Sequence, residues 1–320
     1  MIGKYGIEIY NNKIHYEFEV KRNITIIQGD SATGKTTLID LIADYGRLGK
    51  GSGITLKCDK DCLVLPAARW KEFIRDSHEC IIFVEENLPF IKSREFAESV
   101  NYSDNYFVIV FRDSLPALAY SIEEIYGIRE DRNSQKYVNA KRVYNSFYNI
   151  YNVDDSTEIK PDVVVTEDSN SGYEFFDRAF SCECIPSEGK SKVHKMMTGH
   201  ADKEKTVLGI VDGAAFGADM QKLMKSIADK KGKCYLYAPE SFEYLLLKTG
   251  IFDNREKELN ETYNYADSVK YASWEQYYTD QLHELTQGTD HQYSKKHLGS
   301  FYQSDRCVNA IKKIMNRIKF

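Results

Sequence analysis

Apolar and polar residues alternate through Tyr5-Gly6-Ile7-Glu8-Ile9-Tyr10, break at Asn11-Asn12, and alternate again through Ile14-His15-Tyr16-Glu17-Phe18. A period of two on both sides of a turn predicts a β-hairpin. Residues 23–27 form an unbroken β-branched apolar run, expected of a strand buried on both faces of a parallel sheet, and residues 36–45 have helical character. Two more buried-strand patterns occur at 80–84 and 106–111, with a helical segment at 93–100 between them. Strands alternating with helices predict an α/β fold built on a parallel sheet.

Polar, Tyr- and Asn-rich sequence over residues 129–160 interrupts this rhythm. A second α/β series then begins, with strands at 162–166, 182–185, 206–211 and 233–237 and helices at 172–180, 190–199 and 218–230, the last stopped by Lys230-Lys231-Gly232. The expected organisation is a first domain over 1–155, a smaller α/β domain over 160–250 and a helical, Tyr-rich tail over 251–320, with the boundary near 152–161. The tail rings Tyr263, Tyr265, Tyr271, Tyr277 and Tyr278 are expected in a core or interface rather than stacked on bases.

Composition narrows the class. Hydrophobic residues at 42% and charged residues at 28% suit a globular chain with a real core. The longest apolar runs fall well short of the roughly 20 residues that span a membrane, and no leader pattern comes after Met1, so a cytoplasmic protein with no membrane partner is expected. A net charge of −5 argues against broad nonspecific nucleic-acid binding. The clusters at 190–195, 230–233 and 312–319 read as solvated lysine-rich faces. Seven cysteines, an odd number without paired C-x-x-C knuckles, are expected as reduced thiols, and Cys58-x-x-x-Cys62 lacks the second half of a zinc site. His194 and His200 are expected at surface positions of one helix and its end.

Gly29-Asp30-Ser31-Ala32-Thr33-Gly34-Lys35-Thr36, with Thr37 next, fits G-x-x-x-x-G-K-[ST] at every fixed position. Glycines let backbone N–H groups converge on phosphate oxygens, and the helix after the loop adds its positive end. Lys35 is expected on the β- and γ-phosphates and Thr36 on Mg²⁺, with ATP or GTP as the nucleotide. A chance match in a chain of this length is on the order of 1%, so the motif is specific. Ile81-Ile82-Phe83-Val84-Glu85-Glu86 resembles a Walker B element, which implies Glu85 on Mg²⁺ and Glu86 positioning the attacking water. Arg112, after the next buried strand, either senses the γ-phosphate or pairs with Asp113 or Glu85. The hairpin and the phosphate loop resemble ATPases of the AAA and ABC/SMC type, without an LSGGQ-like segment and with only about fifty residues between the two Walker elements.

In the second series, Val165-Thr166-Glu167-Asp168 and Ile210-Val211-Asp212-Gly213 place acids after two strands, and Glu188-Gly189-Lys190 makes a glycine turn after another. This resembles the Toprim domain over about 162–247. The resemblance implies Glu167 and Asp212 as metal ligands at a scissile phosphate. It departs from the family at Ala214, where a second aspartate is usual; Asp168, Asp219, Glu240 and Glu243 are the carboxylates left to replace it.

An ATPase followed by a Toprim-like domain resembles a small relative of the overcoming-lysogenisation-defect proteins of bacterial and phage conflict. The leading expectation is an NTPase whose nucleotide state gates a C-terminal module acting on nucleic acid. Two alternatives stay open: a non-nucleolytic ATP switch whose degenerate second domain binds a protein partner, and a small-molecule kinase with 129–132 as its arginine-bearing lid. Oligomerisation is compatible with each.

Overall fold

The computed structural model describes residues 1–29, 33–131, 142–151 and 157–320. Asp30, Ser31, Ala32, Arg132 of the expected lid and part of the expected 152–161 boundary lie outside the described residues. The chain has an α/β fold with one large mixed sheet, a second parallel sheet and surrounding helices. It divides into two compact units, Met1–Tyr151 with Thr262–Ala272, and Asn152–Glu261 with Ser273–Phe320. The tail is thus shared between the units rather than standing as a segment of its own.

The first unit opens with β1 (Tyr5–Tyr10) and β2 (Ile14–Val20), the expected antiparallel hairpin, whose turn is held by Asn11 Oδ1 accepting from the Lys13 and Ile14 backbone N–H groups. Next come β3 (Ile24–Ile27), α1 (Lys35–Leu48), β4 (Thr55–Lys57), β5 (Cys62–Val64), α2 (Trp70–Asp76) and β6 (Ile81–Val84). They are followed by α3 (Arg94–Asn101), capped by Ser93 Oγ accepting from Phe96 N–H, β7 (Tyr106–Val110), β8 (Ile125–Glu130) and β9 (Val143–Asn149).

These strands order as β4-β1-β2-β9-β8-β3-β7-β6-β5, nine among the described residues. The sheet is mixed, which corrects the expectation of a parallel sheet flanked by a separate hairpin. β3, β5, β6, β7 and β8 are parallel, the hairpin and β4 are antiparallel neighbours, and β9 joins the two halves by running parallel to β2 and antiparallel to β8. β8 and β9 fall largely where the sequence shows no strand rhythm. Their polar and aromatic residues are stabilised by cross-strand neighbours such as Phe18, which stacks on Phe147 with centroids 4.3 Å apart.

β4 and β5 are the two ends of this order, yet only residues 58–61 connect them. A flat nine-stranded sheet is about 38 Å wide, whereas the link from Lys57 to Cys62 reaches at most about 17 Å. The sheet therefore curls until its edges approach, and α1 packs inside the curl against β1, β4 and β5. Leu38, Ile39 and Ile42 of α1 share one core with Ile7, Phe18, Phe83 and Val108.

The second unit contains β10 (Val163–Thr166), α4 (Ser171–Ala179), β11 (Glu183–Pro186), α5 (Val193–Ala201), β12 (Val207–Ile210), α6 (Gly217–Ile227) and β13 (Cys234–Tyr237). After them come α7 (Phe242–Lys248), α8 (Glu256–Asn260), α9 (Trp274–Thr286) and α10 (Asp305–Ile314). Its four strands are all parallel in the order β11-β10-β12-β13. β10 and β12 are buried throughout, as their unbroken apolar runs predict. His194 is buried on α5, against the expected surface position. Of the tail rings, Tyr271 of the first unit and Tyr277 and Tyr278 of the second are buried, while Tyr265 of the first unit is exposed. Among the described residues no helix is long and apolar enough to cross a membrane.

Candidate functional site

In the first unit the parallel strands β3, β7 and β6 end side by side, so the segments leaving them gather on one edge of the sheet. From β3 the chain enters the 29–36 loop. Gly29 and Gly34 have φ of 139° and 88°, the left-handed half of backbone space that glycine tolerates without a Cβ penalty. Gly34 is also sterically fixed: a Cβ there would lie 2.7 Å from the Tyr16 hydroxyl, which donates to the Gly34 carbonyl at 2.8 Å. That carbonyl also accepts the Leu38 N–H at 3.0 Å, the first bond of α1. Lys35 folds back over the loop, its Nζ donating to Gly29 O at 2.8 Å and Thr33 Oγ1 at 3.0 Å. Thr36 and Thr37 are exposed on the first turn of α1.

Glu85 and Glu86 leave β6 half-buried. Arg112, beyond β7, pairs with Glu86, an acid outside the expected Asp113 and Glu85, through Nε–Oε2 at 3.0 Å and Nη2–Oε1 at 2.9 Å. This two-point pairing is the geometry guanidinium and carboxylate favour. Gln28, at the end of β3, donates from Nε2 to the Arg112 carbonyl at 2.7 Å and ties the loop's entrance to the same edge. An open groove of about 530 Å³ runs beside Glu86, Lys92 and Arg112.

In the second unit the chain leaves β10 for β11 on one side and later returns to β12 on the other. Between β10 and β12 lies the point where strand order reverses, the usual place for a crevice in an open α/β sheet. Glu167 and Asp212 stand there. Glu167 Oε2 accepts the Asp212 backbone N–H at 3.0 Å, and Asp212 Oδ1 accepts the Phe242 N–H at 3.2 Å. Gly213 is required next to Asp212, because a Cβ would lie 2.9 Å from the carbonyls of both Ala238 and Pro239.

A cavity of about 20 Å³, room for about one water, is lined by Glu167, Asp168, Asp212, Glu243 and Lys295. Of the four acids considered as replacements at the Ala214 position, Asp168 and Glu243 therefore reach the cavity. Asp219 and Glu240 do not line it, and Ala214 is buried with its N–H on the Glu240 carbonyl.

Electrostatics at this cavity are those of crowded acids. Burial, partly offset by the Lys190 ammonium 3.8 Å away, lifts the Glu167 carboxyl to about 7. Burial and the neighbouring charges of Glu275, Glu167 and Glu243 push Asp212 well above the usual carboxylate range. Burial raises Asp168 as well.

Glu243 is 1% exposed; its Oε1 accepts the Tyr293 hydroxyl at 2.7 Å, and its Oε2 has no partner. Tyr293 in turn shares a hydrogen bond with Ser171 Oγ at 2.8 Å. Lys295 Nζ sits 2.7 Å from Glu275 Oε1 and 3.6 Å from Glu243 Oε1. Glu275, Tyr293 and Lys295 belong to α9 and the loop after it; no spacing in the sequence points to them, because only folding brings that loop to α7.

The orphaned Glu243 oxygen and the crowded carboxylates suit a hard cation, although among the described residues no three His, Cys, Asp or Glu side chains converge closely enough to hold one. No protein-family model matches the chain, and no curated protein matches it in sequence.

Proposed function

We propose that the first unit binds ATP or GTP with Mg²⁺ through the 29–36 loop and hydrolyses it, and that its nucleotide state gates a Toprim-like second unit. That second unit acts on nucleic acid by metal-assisted phosphodiester cleavage. The observation that carries the nucleotide reading is Lys35 folded onto Gly29 O and Thr33 Oγ1: a buried ammonium between two glycines at a helix N-terminus is what binding a phosphate calls for.

Lys35 would exchange the Gly29 and Thr33 oxygens for the β- and γ-phosphates, and Thr36 with Glu85 would hold Mg²⁺, which supplies charge neutralisation when bound. Glu86 would orient the attacking water once Arg112 leaves it for the γ-phosphate. In the second unit Glu167 and Asp212 would hold a divalent cation, with Asp168 and Glu243 the further carboxylates that line the same cavity.

Calorimetric titration with ATP·Mg²⁺ and GTP·Mg²⁺ tests the first half. Lys35→Ala should weaken binding at least about tenfold, since it removes a charge-assisted contact; equal affinity of parent and variant would reject it. The second half is tested by cleavage of supercoiled and linear DNA with Mg²⁺ or Mn²⁺, with and without ATP. Cutting should be lost in Glu167→Ala and in Asp212→Ala.

A second reading, a non-nucleolytic ATP switch whose second unit binds a protein partner, is favoured by the buried Ala214 and by carboxylates that do not converge. Nucleotide turnover that depends on Lys35, with no cutting under any condition, would select it.

A further inference from the structure

Cys58 and Cys62 stand where the two edges of the first unit's curled sheet meet, Cys58 directly after β4 and Cys62 opening β5. The turn between them brings the two side chains together: the Cys62 thiol points back to the Lys60 carbonyl at 3.8 Å, and the Cys58 side chain lies within reach of Cys62 and of the Asp59 and Lys60 backbone. Cys58 is half-exposed and lines an open groove of about 510 Å³ with Lys57 and Asp59, whereas Cys62 is buried beneath it.

From this arrangement we infer that Cys58 and Cys62 are a peroxide-oxidisable pair, Cys58 the attacking thiol and Cys62 the resolving one, whose disulfide joins the β4 and β5 edges around α1. The inference is independent of the nucleotide and nuclease readings.

The chemistry closes on the two thiols and one hydroperoxide. Cys58, as thiolate, attacks the peroxide oxygen, breaks the O–O bond and becomes a sulfenic acid while the leaving oxygen departs as water. The Cys62 sulfur then attacks the sulfenic sulfur and expels a second water. Two thiols are oxidised and one hydrogen peroxide is reduced.

Thiolate is the reactive form. The adjoining Cys62 thiol, opposed by burial and helped by the Lys60 and Asp59 backbone, brings Cys58 down to about 7. The other six cysteines are pushed up: Cys62 by the same pairing and its burial, and Cys80, Cys182, Cys184, Cys234 and Cys307 chiefly by burial. Cys62 also lies close to Cys80, which opens a competing partner that the test must separate.

The test oxidises the reduced full chain with hydrogen peroxide, blocks remaining thiols with N-ethylmaleimide and maps tryptic peptides by mass spectrometry without reductant. The expected product is the Cys58-Asp59-Lys60 peptide linked to the peptide of residues 61–69, lost on treatment with dithiothreitol. Cys58 should be consumed at least about tenfold faster than the half-exposed Cys182 or Cys234, as its greater thiolate fraction requires. In Cys62→Ser, dimedone should trap a sulfenic acid at Cys58; in Cys58→Ser, Cys62 should remain free. Cys58 fully alkylated after peroxide, a Cys62–Cys80 linkage, or a disulfide between two chains at Cys58 would each overturn the proposal.

Discussion

The Tyr16 hydroxyl donates to the Gly34 carbonyl at 2.8 Å, so a residue of the N-terminal hairpin fixes the point where the 29–36 loop turns into α1. Gly34→Ala places a methyl 2.7 Å from that hydroxyl and forces an L side chain to φ 88°. The expected loss of stability is about 1–3 kcal/mol. Tyr16→Phe in the same chain should restore part of it, because the clash is with the hydroxyl. Urea denaturation of the two single variants and the double variant checks this, and strict additivity would show that the contact has no steric part.

Arg112 is 52% exposed and its partner Glu86 20% exposed, so their pair contributes at most about 1 kcal/mol to folding. Arg112→Ala should leave thermal unfolding nearly unchanged. On the proposed mechanism it should slow phosphate release from ATP at least about tenfold. Unaltered turnover in a folded variant would remove Arg112 from the chemistry.

Glu167 titrates at about 7 in the folded chain, against an ordinary value of 4.5. The native state then binds more protons than the unfolded state between those values, so its stability falls as pH rises through that window. The contribution costs nothing below the lower value and reaches its full size, up to about 3 kcal/mol, above the upper one. With a chelator present, Glu167→Gln should unfold at a higher temperature than the parent at pH 8 and show little gain at pH 4. A gain of equal size at both pH values would contradict the assignment.

Lys295 is the cation nearest the buried Glu243, whose other neighbour is the Tyr293 hydroxyl. Lys295→Met leaves that carboxylate without a counter-charge and should cost about 2–3 kcal/mol, less than for a fully buried pair because Lys295 is partly reached by water. Lys295→Met with Glu243→Gln should recover most of the loss. Chemical denaturation of both variants measures it, and no recovery would place the loss in the loop's packing instead.

Much of the strand and helix pattern was legible from periodicity alone. The hairpin, β3, β6, β7, β10 and β12 are apolar or alternating runs whose burial stems from composition, whereas β11 and β13, at the edges of their sheet, stay partly exposed. β8 and β9 were not, since their residues are stable as strands only beside one another and β2. The same holds at the sites. The candidate phosphate-binding residues Gly29, Gly34, Lys35 and Thr36 were legible as a local motif, because one short stretch of sequence holds all of them.

Glu167 and Asp212 were found from acids placed after apolar runs, but only the strand order β11-β10-β12-β13 sets those two ends next to each other. The pairing of Arg112 with Glu86, the arrival of Lys295 and Tyr293 beside Glu243, and the meeting of Cys58 and Cys62 at the seam of a curled sheet were decided by tertiary structure. Sequence determines local backbone preference and which faces must leave water. Contacts between residues far apart in the chain depend on how sheets curl and loops return, and those are set by the packing of the whole unit rather than by any neighbouring residues.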